Sequence, residues 1–284
     1  MFSGDRTPYT PAHFLYSWWQ HSSNLASYEE QDAHEFFISV LDGIHEMESK
    51  IRNSGKDDGD CQCIAHRAFS GLLRSDVTCI SCGFTSTTYD PCVDISLNMD
   101  TSNLSSSNAN KPIKPDEKTE LRDSSKQLSI RRLPLVLCLH IKRVEHSLVR
   151  KISRKINQYM QFPFSLDMTP YLSSSIVRSK FGNRIFTFEY DNSNSSAAYE
   201  IFAVIAHSGM LESGHYVTYL RLKNQWYKCD DAWISEVDEG IVRASQCYML
   251  FYVQKLLYNE AIEDSSFVHI SPRRDPFDST AGCS

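Results

Sequence analysis

The sequence predicts an α+β fold, in which a helical N-terminal part is followed by a mostly antiparallel β part. Apolar residues recur at helical spacing through residues 11–51, and alternating or continuous apolar runs follow each other closely from residue 133 onward. The chain has 284 residues, of which 41% are hydrophobic, so one large domain with a sizeable core can form. No run of about 18 apolar residues occurs, and no membrane span is expected.

The formal charge of −6 argues against nucleic acid as a direct partner, because binding phosphates requires a basic surface. The first six residues lack the apolar stretch of a signal peptide. The nine cysteines are odd in number and irregularly spaced, which favours a reducing compartment.

Two helical segments are expected in residues 11–51. Phe14 and Trp18 belong to the first stripe of apolar residues, and Ser27 with Glu30 fits a capping box before the second. The second stripe consists of Ala33, Phe36, Phe37, Val40, Leu41, Ile44 and Met47.

Polar stretches divide the remaining chain. Residues 52–60, 100–126 and 172–198 are predicted to be flexible insertions, and residues 257–284 a disordered tail after a domain that spans residues 1–256. The predicted strands lie at residues 69–73, 85–89, 93–97, 133–141, 199–207, 215–222, 225–229 and 247–253. The continuous apolar run at 133–141 is typical of a strand buried on both faces.

A histidine and two aspartates lie on neighbouring predicted strands. A turn at residues 223–225 would fold the chain back, so that Asp230 and Asp231 approach the end where His215 lies. An imidazole can take the proton of a thiol, and a carboxylate on the other ring nitrogen fixes its tautomer. The alternative is a half-buried histidine beside carboxylates that only solvate a turn.

Four motifs, in this order, resemble the ubiquitin-specific proteases, a papain-like family of deubiquitinating enzymes. They lie at residues 31–37, 69–82, 133–143 and 214–231, and Val144 stands where that family usually has phenylalanine. Residues 75–79, 89–91, 211–215 and 228–232 are similar to a plant-like member of the branch associated with the SAGA coactivator. The resemblance implies a fold with a helical thumb remnant, shortened fingers and an antiparallel β palm.

The same resemblance implies the roles of single residues. His215 would be the general base, Asp230 the orienting acid and Asp231 a supporting contact. Asp32 and Glu35 would face basic residues of ubiquitin, although a solvated helix face explains both equally well. The implied partners are ubiquitin or ubiquitinated proteins, including histones, and SAGA-type adaptors, in the nucleus or otherwise in the cytosol.

The thiol of the family mechanism is expected to be absent from this chain. The family's nucleophile lies in an N-terminal Asn-Thr-Cys-like box at the start of a helix, and the chain is expected to begin downstream of it. None of the nine cysteines opens a predicted helix. The chain alone is therefore predicted to be inactive, as a deubiquitinase that lacks its N-terminal box.

A zinc site is predicted in part. Cys79 and Cys82 form a C-x-x-C half-site, but structural zinc takes four ligands and residues 100–126 contain no cysteine. Cys61, Cys63 and His66 could add ligands to this pair or hold a separate ion. Two non-enzymatic interpretations stay open as well, namely a ubiquitin- or adaptor-binding protein and a zinc-dependent adaptor.

Overall fold

The computed structural model describes residues 10–21, 31–51, 61–99, 123–147, 152–181, 197–210 and 213–264. The helices in these ranges are α1 (Ala12–His21), α2 (Ala33–Ile51), α3 (Ile64–Phe69), α4 (Ser173–Phe181), α5 (Glu239–Arg243) and α6 (Lys255–Asp264), with a 3-10 turn at Thr169–Tyr171. No helix in these parts of the chain is both long and apolar enough to cross a membrane.

Thirteen strands are formed in the same ranges. They are β1 (Gly71–Cys79), β2 (Thr85–Cys92), β3 (Ile95–Asn98), β4 (Ser124–Arg132), β5 (Val136–Lys142), β6 (Val144–Ser147), β7 (Ile152–Lys155), β8 (Ser165–Asp167), β9 (Ala198–Gly209), β10 (Gly214–Leu222), β11 (Gln225–Asp230), β12 (Trp233–Val237) and β13 (Cys247–Gln254). The predicted combination of helices and mainly antiparallel sheet is confirmed.

An eight-stranded sheet, here called the palm sheet, holds the core. Its strand order is β12-β11-β10-β9-β13-β5-β3, with β8 beside β9. Only β3 and β5 run parallel; the other pairs are antiparallel. Leu137 and Ile141 of β5 lie in one apolar cluster and Cys138 in another, so this strand is buried on both faces as predicted.

A three-stranded antiparallel sheet of order β2-β1-β4, here called the finger sheet, extends from the palm sheet. Gly71 lies at the palm end of β1, where a Cβ at this position would be 3.4 Å from Pro134 Cδ. The two edge strands β2 and β4 are largely exposed, and every β2 residue before Cys92 lies at the surface, whereas in the central strand β1 only Val77 is exposed. Little apolar burial supports the outer part of this sheet, so backbone pairing is its main stabilisation.

The N-terminal helices cover one face of the palm sheet. Phe37 of α2 packs against Phe69 and Phe251, with ring centroids 5.2 and 5.4 Å away. Helix α1 packs on α2, where the Trp18 indole N–H donates to Ser39 Oγ at 3.0 Å. This docking fixes the position of α2 relative to the strands that carry His215 and Asp230.

Three predictions about polar segments were wrong in part. Helix α4 lies inside the predicted loop 172–198, and residues 124–126 of the predicted loop 100–126 belong to β4. Helix α6 runs through Asp264, although 257–284 was predicted to be disordered. Composition does not reveal the tertiary contacts that hold these segments. Leu172, just before α4, packs against the main core, and β4 pairs with β1. The Tyr258 hydroxyl of α6 donates to Asn224.

Other predictions concern residues that the structure does not describe. The predicted linker 52–60, and the Ser27–Glu30 capping box within 22–30, lie outside the described residues. Helix α2 instead begins after Asp32, which accepts hydrogen bonds from the His34 and Glu35 N–H groups at 2.8 and 3.0 Å. This is the pattern of an N-cap residue.

Candidate active site and metal cluster

The β10–β11 hairpin brings the predicted base and acid together. Lys223 and Asn224 have φ values of 48° and 65°, as in the two-residue turns that match the twist of antiparallel strands. Gln225, predicted to be a turn residue, pairs with Leu222. The register pairs Thr218 with Cys229. One residue farther from the turn, Asp230 would lie opposite Val217. His215 is two residues from Val217 on the same face, so it is the diagonal neighbour of Asp230.

His215 and Asp230 form a short hydrogen bond. The distance from His215 Nε2 to Asp230 Oδ1 is 2.7 Å, and the two side chains are 47% and 31% exposed. The carboxylate accepts the Nε2 proton and thereby leaves Nδ1 as the ring nitrogen that can accept one. The bond to Asp230 also raises the pKa of His215 above its ordinary value, with a smaller contribution from the charge of Asp231.

Lys228 is a residue of this site that the sequence interpretation missed. Its Nζ lies 2.8 Å from Asp230 Oδ2, so each carboxylate oxygen has a partner. The bond from Lys228 is the largest cause that lowers the pKa of Asp230, followed by the bond from His215. The signal was present in the sequence, because residues two apart on a strand share a face.

Asp231 lies in the turn between β11 and β12, with a φ of 48°. One of its carboxylate oxygens lies within 4.8 Å of the ligand atoms of His215 and Asp230. Its supporting role stays a prediction, since no hydrogen bond between Asp231 and His215 occurs among the described residues.

Gly214 is required by the packing of the neighbouring strand. A Cβ at this position would lie 2.1 Å from His207 Nε2 and 2.7 Å from the Ser208 carbonyl oxygen. The His207 ring stacks in a tilted arrangement on Tyr216, with centroids 4.5 Å apart. Only glycine therefore allows His207 to lie against the strand directly before His215.

Asp32 has two intramolecular roles. Besides capping α2 through Oδ1, it accepts a hydrogen bond from the Tyr248 hydroxyl through Oδ2. The Tyr216 hydroxyl accepts from the Ala33 N–H at 3.5 Å. These bonds tie the start of α2 to β10 and β13. Glu35, by contrast, is exposed on the first turn of α2, and its contact with ubiquitin stays a prediction.

A second polar cluster links α2 to β5. His34 Nε2 lies 3.1 Å from Asp94 Oδ2, and the His34 and His140 rings stack with centroids 3.9 Å apart. Burial lowers the pKa of His140 to about 4, so its ring is neutral near pH 7. Because stacked rings direct their nitrogen lone pairs along parallel planes, this arrangement favours a hydrogen-bonded brace over a metal centre.

None of the eight described cysteines is hydrogen-bonded to His215. Cys229 is adjacent to Asp230 in β11, but alternation turns it to the other face of the strand. Burial raises the pKa of the Cys138, Cys229 and Cys247 thiols and keeps them protonated. Cys283 lies outside the described residues. The site geometry thus supplies a base and its orienting acid.

A four-residue cluster could hold a metal between α2 and α3. Single ligand atoms of His45, Cys61, Cys63 and His66 all lie within 4.8 Å of one another. Cys61 Sγ is 3.3 Å from His45 Nδ1, and Cys63 Sγ is 2.9 Å from His66 Nδ1. Two sulfur and two nitrogen donors in this spacing fit tetrahedral zinc.

The sequence prediction of this cluster missed His45, which lies 16 residues before Cys61 and approaches it only through the packing of α2. The predicted alternative, in which Cys61, Cys63 and His66 complete a site with Cys79 and Cys82, is not favoured by this geometry. Cys79 and Cys82 lie instead at the outer end of the β1–β2 hairpin.

Comparison with known proteins identifies what the chain is similar to. The family profile described as ubiquitin carboxyl-terminal hydrolase matches residues 2–252. Ubiquitin C-terminal hydrolase 22 of Arabidopsis thaliana is 57% identical, over 95% of this chain and 56% of that protein. Ubiquitin carboxyl-terminal hydrolase 22 of Homo sapiens is 38% identical, over 91% of this chain and 56% of that protein. The chain thus spans little more than half the length of these relatives.

Two solved structures have a similar fold. One is the SAGA Ubp8/Sgf11/Sus1/Sgf73 DUB module bound to ubiquitin aldehyde, with a TM-score of 0.66, 29% identity and coverage of 85% of this chain and 53% of that chain. The other is the Ubp8-Sgf11-Sgf73-Sus1 SAGA DUB module, with a TM-score of 0.64, 28% identity and coverage of 86% and 52%. The predicted family, its SAGA-associated branch and the plant-like character are confirmed by these similarities.

Proposed function

The chain belongs to the ubiquitin carboxyl-terminal hydrolase family, and on that premise we propose that it carries the base and orienting acid of a cysteine-type deubiquitinase without the nucleophile. The observation that carries the proposal is the His215–Asp230 hydrogen bond of 2.7 Å, in which Nε2 is used, while the His215 side chain is 47% exposed. The family reaction hydrolyses the bond after the ubiquitin C-terminus through a thioester.

In this mechanism His215 Nδ1 takes the proton of the attacking thiol and later returns it to the leaving amine. Asp230 holds the Nε2 tautomer and stabilises the imidazolium that forms, while Lys228 holds the second carboxylate oxygen. All three side chains lie on β10 and β11, so a rigid sheet fixes their relative positions.

Among the described residues, no cysteine thiol is hydrogen-bonded to His215. We therefore expect no hydrolysis of a ubiquitin–aminocoumarin substrate by this chain alone, measured by the release of fluorescence. His215→Ala serves as the matched control. Turnover that is lost in His215→Ala would contradict the proposal, because it would require a thiol of this chain to act as the nucleophile.

The proposed substrates and partners follow the relatives. The Ubp8 structures contain the adaptors Sgf11, Sus1 and Sgf73, and one of them contains ubiquitin aldehyde. We propose ubiquitinated proteins, including histones, as substrates, and SAGA-type adaptors as partners of the protein in the nucleus.

A second candidate function is a non-catalytic ubiquitin- or adaptor-binding protein. It is favoured by the absence of any described cysteine bonded to His215, together with an intact and firmly capped α2. Titration with labelled ubiquitin tests it. Glu35→Lys should weaken binding at least several-fold, whereas Glu236→Lys on edge strand β12, which changes the net charge equally, should not. Equal effects of the two changes would point to net charge alone.

We also propose a structural zinc ion at His45, Cys61, Cys63 and His66. When bound it would fix α2 against α3 and take no part in the reaction. Removing zinc with a chelator should lower the unfolding temperature of the chain, and Cys63→Ser should abolish that response. An identical unfolding temperature with and without the chelator would refute the site. The same assay tests the zinc-dependent adaptor interpretation, which requires this ion.

A further inference from the structure

Lys155, the last residue of β7, reaches across to the end of β9. Its ammonium donates to the His207 carbonyl oxygen at 3.3 Å and to the Gly209 carbonyl oxygen at 2.9 Å. Strand β13 begins at Cys247, whose register partner is Ala206, so among the described residues no strand pairs with His207 or Gly209 on that side of β9. Lys155 therefore takes the place of a pairing strand for these two carbonyl groups.

The residue between the two carbonyl groups faces the residue proposed as the base. Backbone groups of successive strand residues point to opposite sides, so Ser208 directs its N–H and carbonyl towards β10. Its register partner there is His215, and the Ser208 hydroxyl donates to the His215 carbonyl oxygen at 3.4 Å. The two bonds of Lys155 lie on either side of Ser208, and they hold the backbone against which His215 is paired.

The segment after β7 is anchored by a buried cation. Arg143 is only 1% exposed, and its Nη1 donates to the carbonyl oxygens of Ile156 and Gln158 at 3.0 and 2.9 Å. Its Nε donates to the Cys247 carbonyl oxygen at 2.7 Å, and the Ile156 N–H donates to the Arg143 carbonyl oxygen at 2.7 Å. These bonds fix the end of β7 relative to the start of β13.

The surroundings of Lys155 disfavour a cation that has no acceptors. Burial, followed by the charge of Arg143, lowers the pKa of Lys155. The two carbonyl oxygens at the end of β9 supply the acceptors that a half-buried ammonium requires. The position of the ammonium and the position of the β9 backbone therefore depend on each other.

We propose that Lys155 is a positioning residue of the proposed active site, which sets the β9 backbone so that His215 meets Asp230. The inference rests on the proposed role of His215 as the base. Among the described residues, the charged groups that act on the His215 ring lie on β11 and in the turn after it, namely Lys228, Asp230 and Asp231. Lys155 is not one of them, so it acts on His215 through the backbone.

The experiment titrates the His215 ring by NMR in the full chain, without substrate. Lys155→Met removes the donors, and we expect the midpoint to fall towards the ordinary value because the bond to Asp230 loosens. Loss of a positive charge alone would shift the midpoint in the opposite direction. Exchange of the His215 backbone amide should become at least about tenfold faster, while amides of β13 such as that of Leu250 keep their protection.

Control variants separate the donors from the charge. Lys155→Arg keeps both and should retain the midpoint of the unchanged chain. Lys126→Met, at an exposed position of β4, removes an equal charge and should have no effect. If Lys155→Met does not fold, Lys155→Gln, which keeps a shorter neutral donor, should show the same fall to a smaller extent.

The inference would be overturned by a midpoint in Lys155→Met that is unchanged or raised, or by an equal fall in Lys155→Arg. A midpoint that falls in Asp230→Asn but not in Lys155→Met would also overturn it, and would leave the role of Asp230 intact. Unchanged midpoints in both variants would overturn the proposed site itself, and the inference with it.

Discussion

His215 and Asp230 illustrate how far single residues can be assigned from sequence. Strand alternation and the intervening turn predicted that the two residues approach each other, and His215 Nε2 lies 2.7 Å from Asp230 Oδ1. The sequence left their register open by a few residues, because the turn length was not fixed. The two-residue turn at Lys223 and Asn224 settles that register.

Replacing Asp230 by Asn should lower the pKa of His215 toward its ordinary value of about 6.5. The Asp230 bond favours the imidazolium, so the stability that this pair contributes is present below that ordinary pKa and is lost as pH rises through the raised pKa. An NMR titration of the His215 ring, assigned with His215→Gln, measures the shift. An unchanged midpoint would mean that Asp230 does not control this imidazole.

Gly214→Ala should destabilise the chain and displace His207. The added Cβ would overlap His207 Nε2 and the Ser208 carbonyl oxygen, at 2.1 and 2.7 Å. Gly43→Ala in α2 is the matched control, because nothing lies within 4 Å of its Cβ position and alanine is the better helix former by about 1 kcal/mol. Urea denaturation should therefore shift the midpoints of the two variants in opposite directions. A neutral effect of Gly214→Ala would contradict the packing role of this glycine.

At the scale of elements, Asp32 holds the start of α2, although the family resemblance implied that this residue faces ubiquitin. Asp32 caps the helix and accepts from Tyr248, so both its oxygens bind within the chain. The sequence placed a capping box five residues earlier, at Ser27. Capping depends on where the helix begins, and that boundary is set by the docking of α2 on the palm sheet.

Asp32→Ala should reduce the free energy of unfolding by about 1–2 kcal/mol for the lost cap, with a further loss for the Tyr248 hydroxyl. Asp32→Asn keeps an acceptor at the cap and should cost less. Tyr248→Phe removes only the second bond and serves as the control. Chemical denaturation of the three variants separates the two roles. If Asp32→Ala and Tyr248→Phe had equal effects, the cap would contribute nothing.

At the scale of the whole molecule, the α+β class, the mostly antiparallel palm and the buried β5 could be predicted from hydrophobic patterns. Helix α4, strand β4 and helix α6 could not, since their sequences are polar and their order depends on contacts made after folding. The same reason explains why His45 was missed, because it joins its site only through the packing of α2. Lys228, two residues before Asp230 on β11, could have been found from strand alternation.

The finger sheet shows a related limit. The family resemblance predicted shortened fingers and an incomplete zinc half-site, and the structure has a three-stranded sheet with Ser124 opposite Cys79. Composition alone does not show that the loop between β1 and β2 is a closed turn. In the structure the Gly83 N–H donates to the Cys79 carbonyl oxygen at 2.9 Å.

We propose that His215 and Asp230 are a competent base and orienting acid, and that the nucleophilic thiol they would serve is not among the described cysteines. The most direct test joins the nucleophile box of the Arabidopsis relative upstream of this chain and measures hydrolysis of ubiquitin–aminocoumarin. We predict turnover by the joined protein that is lost in its His215→Ala variant and reduced at least about a hundredfold in Asp230→Ala, with none by the chain alone. A folded, ubiquitin-binding joined protein without turnover, or turnover that survives His215→Ala, would contradict the account.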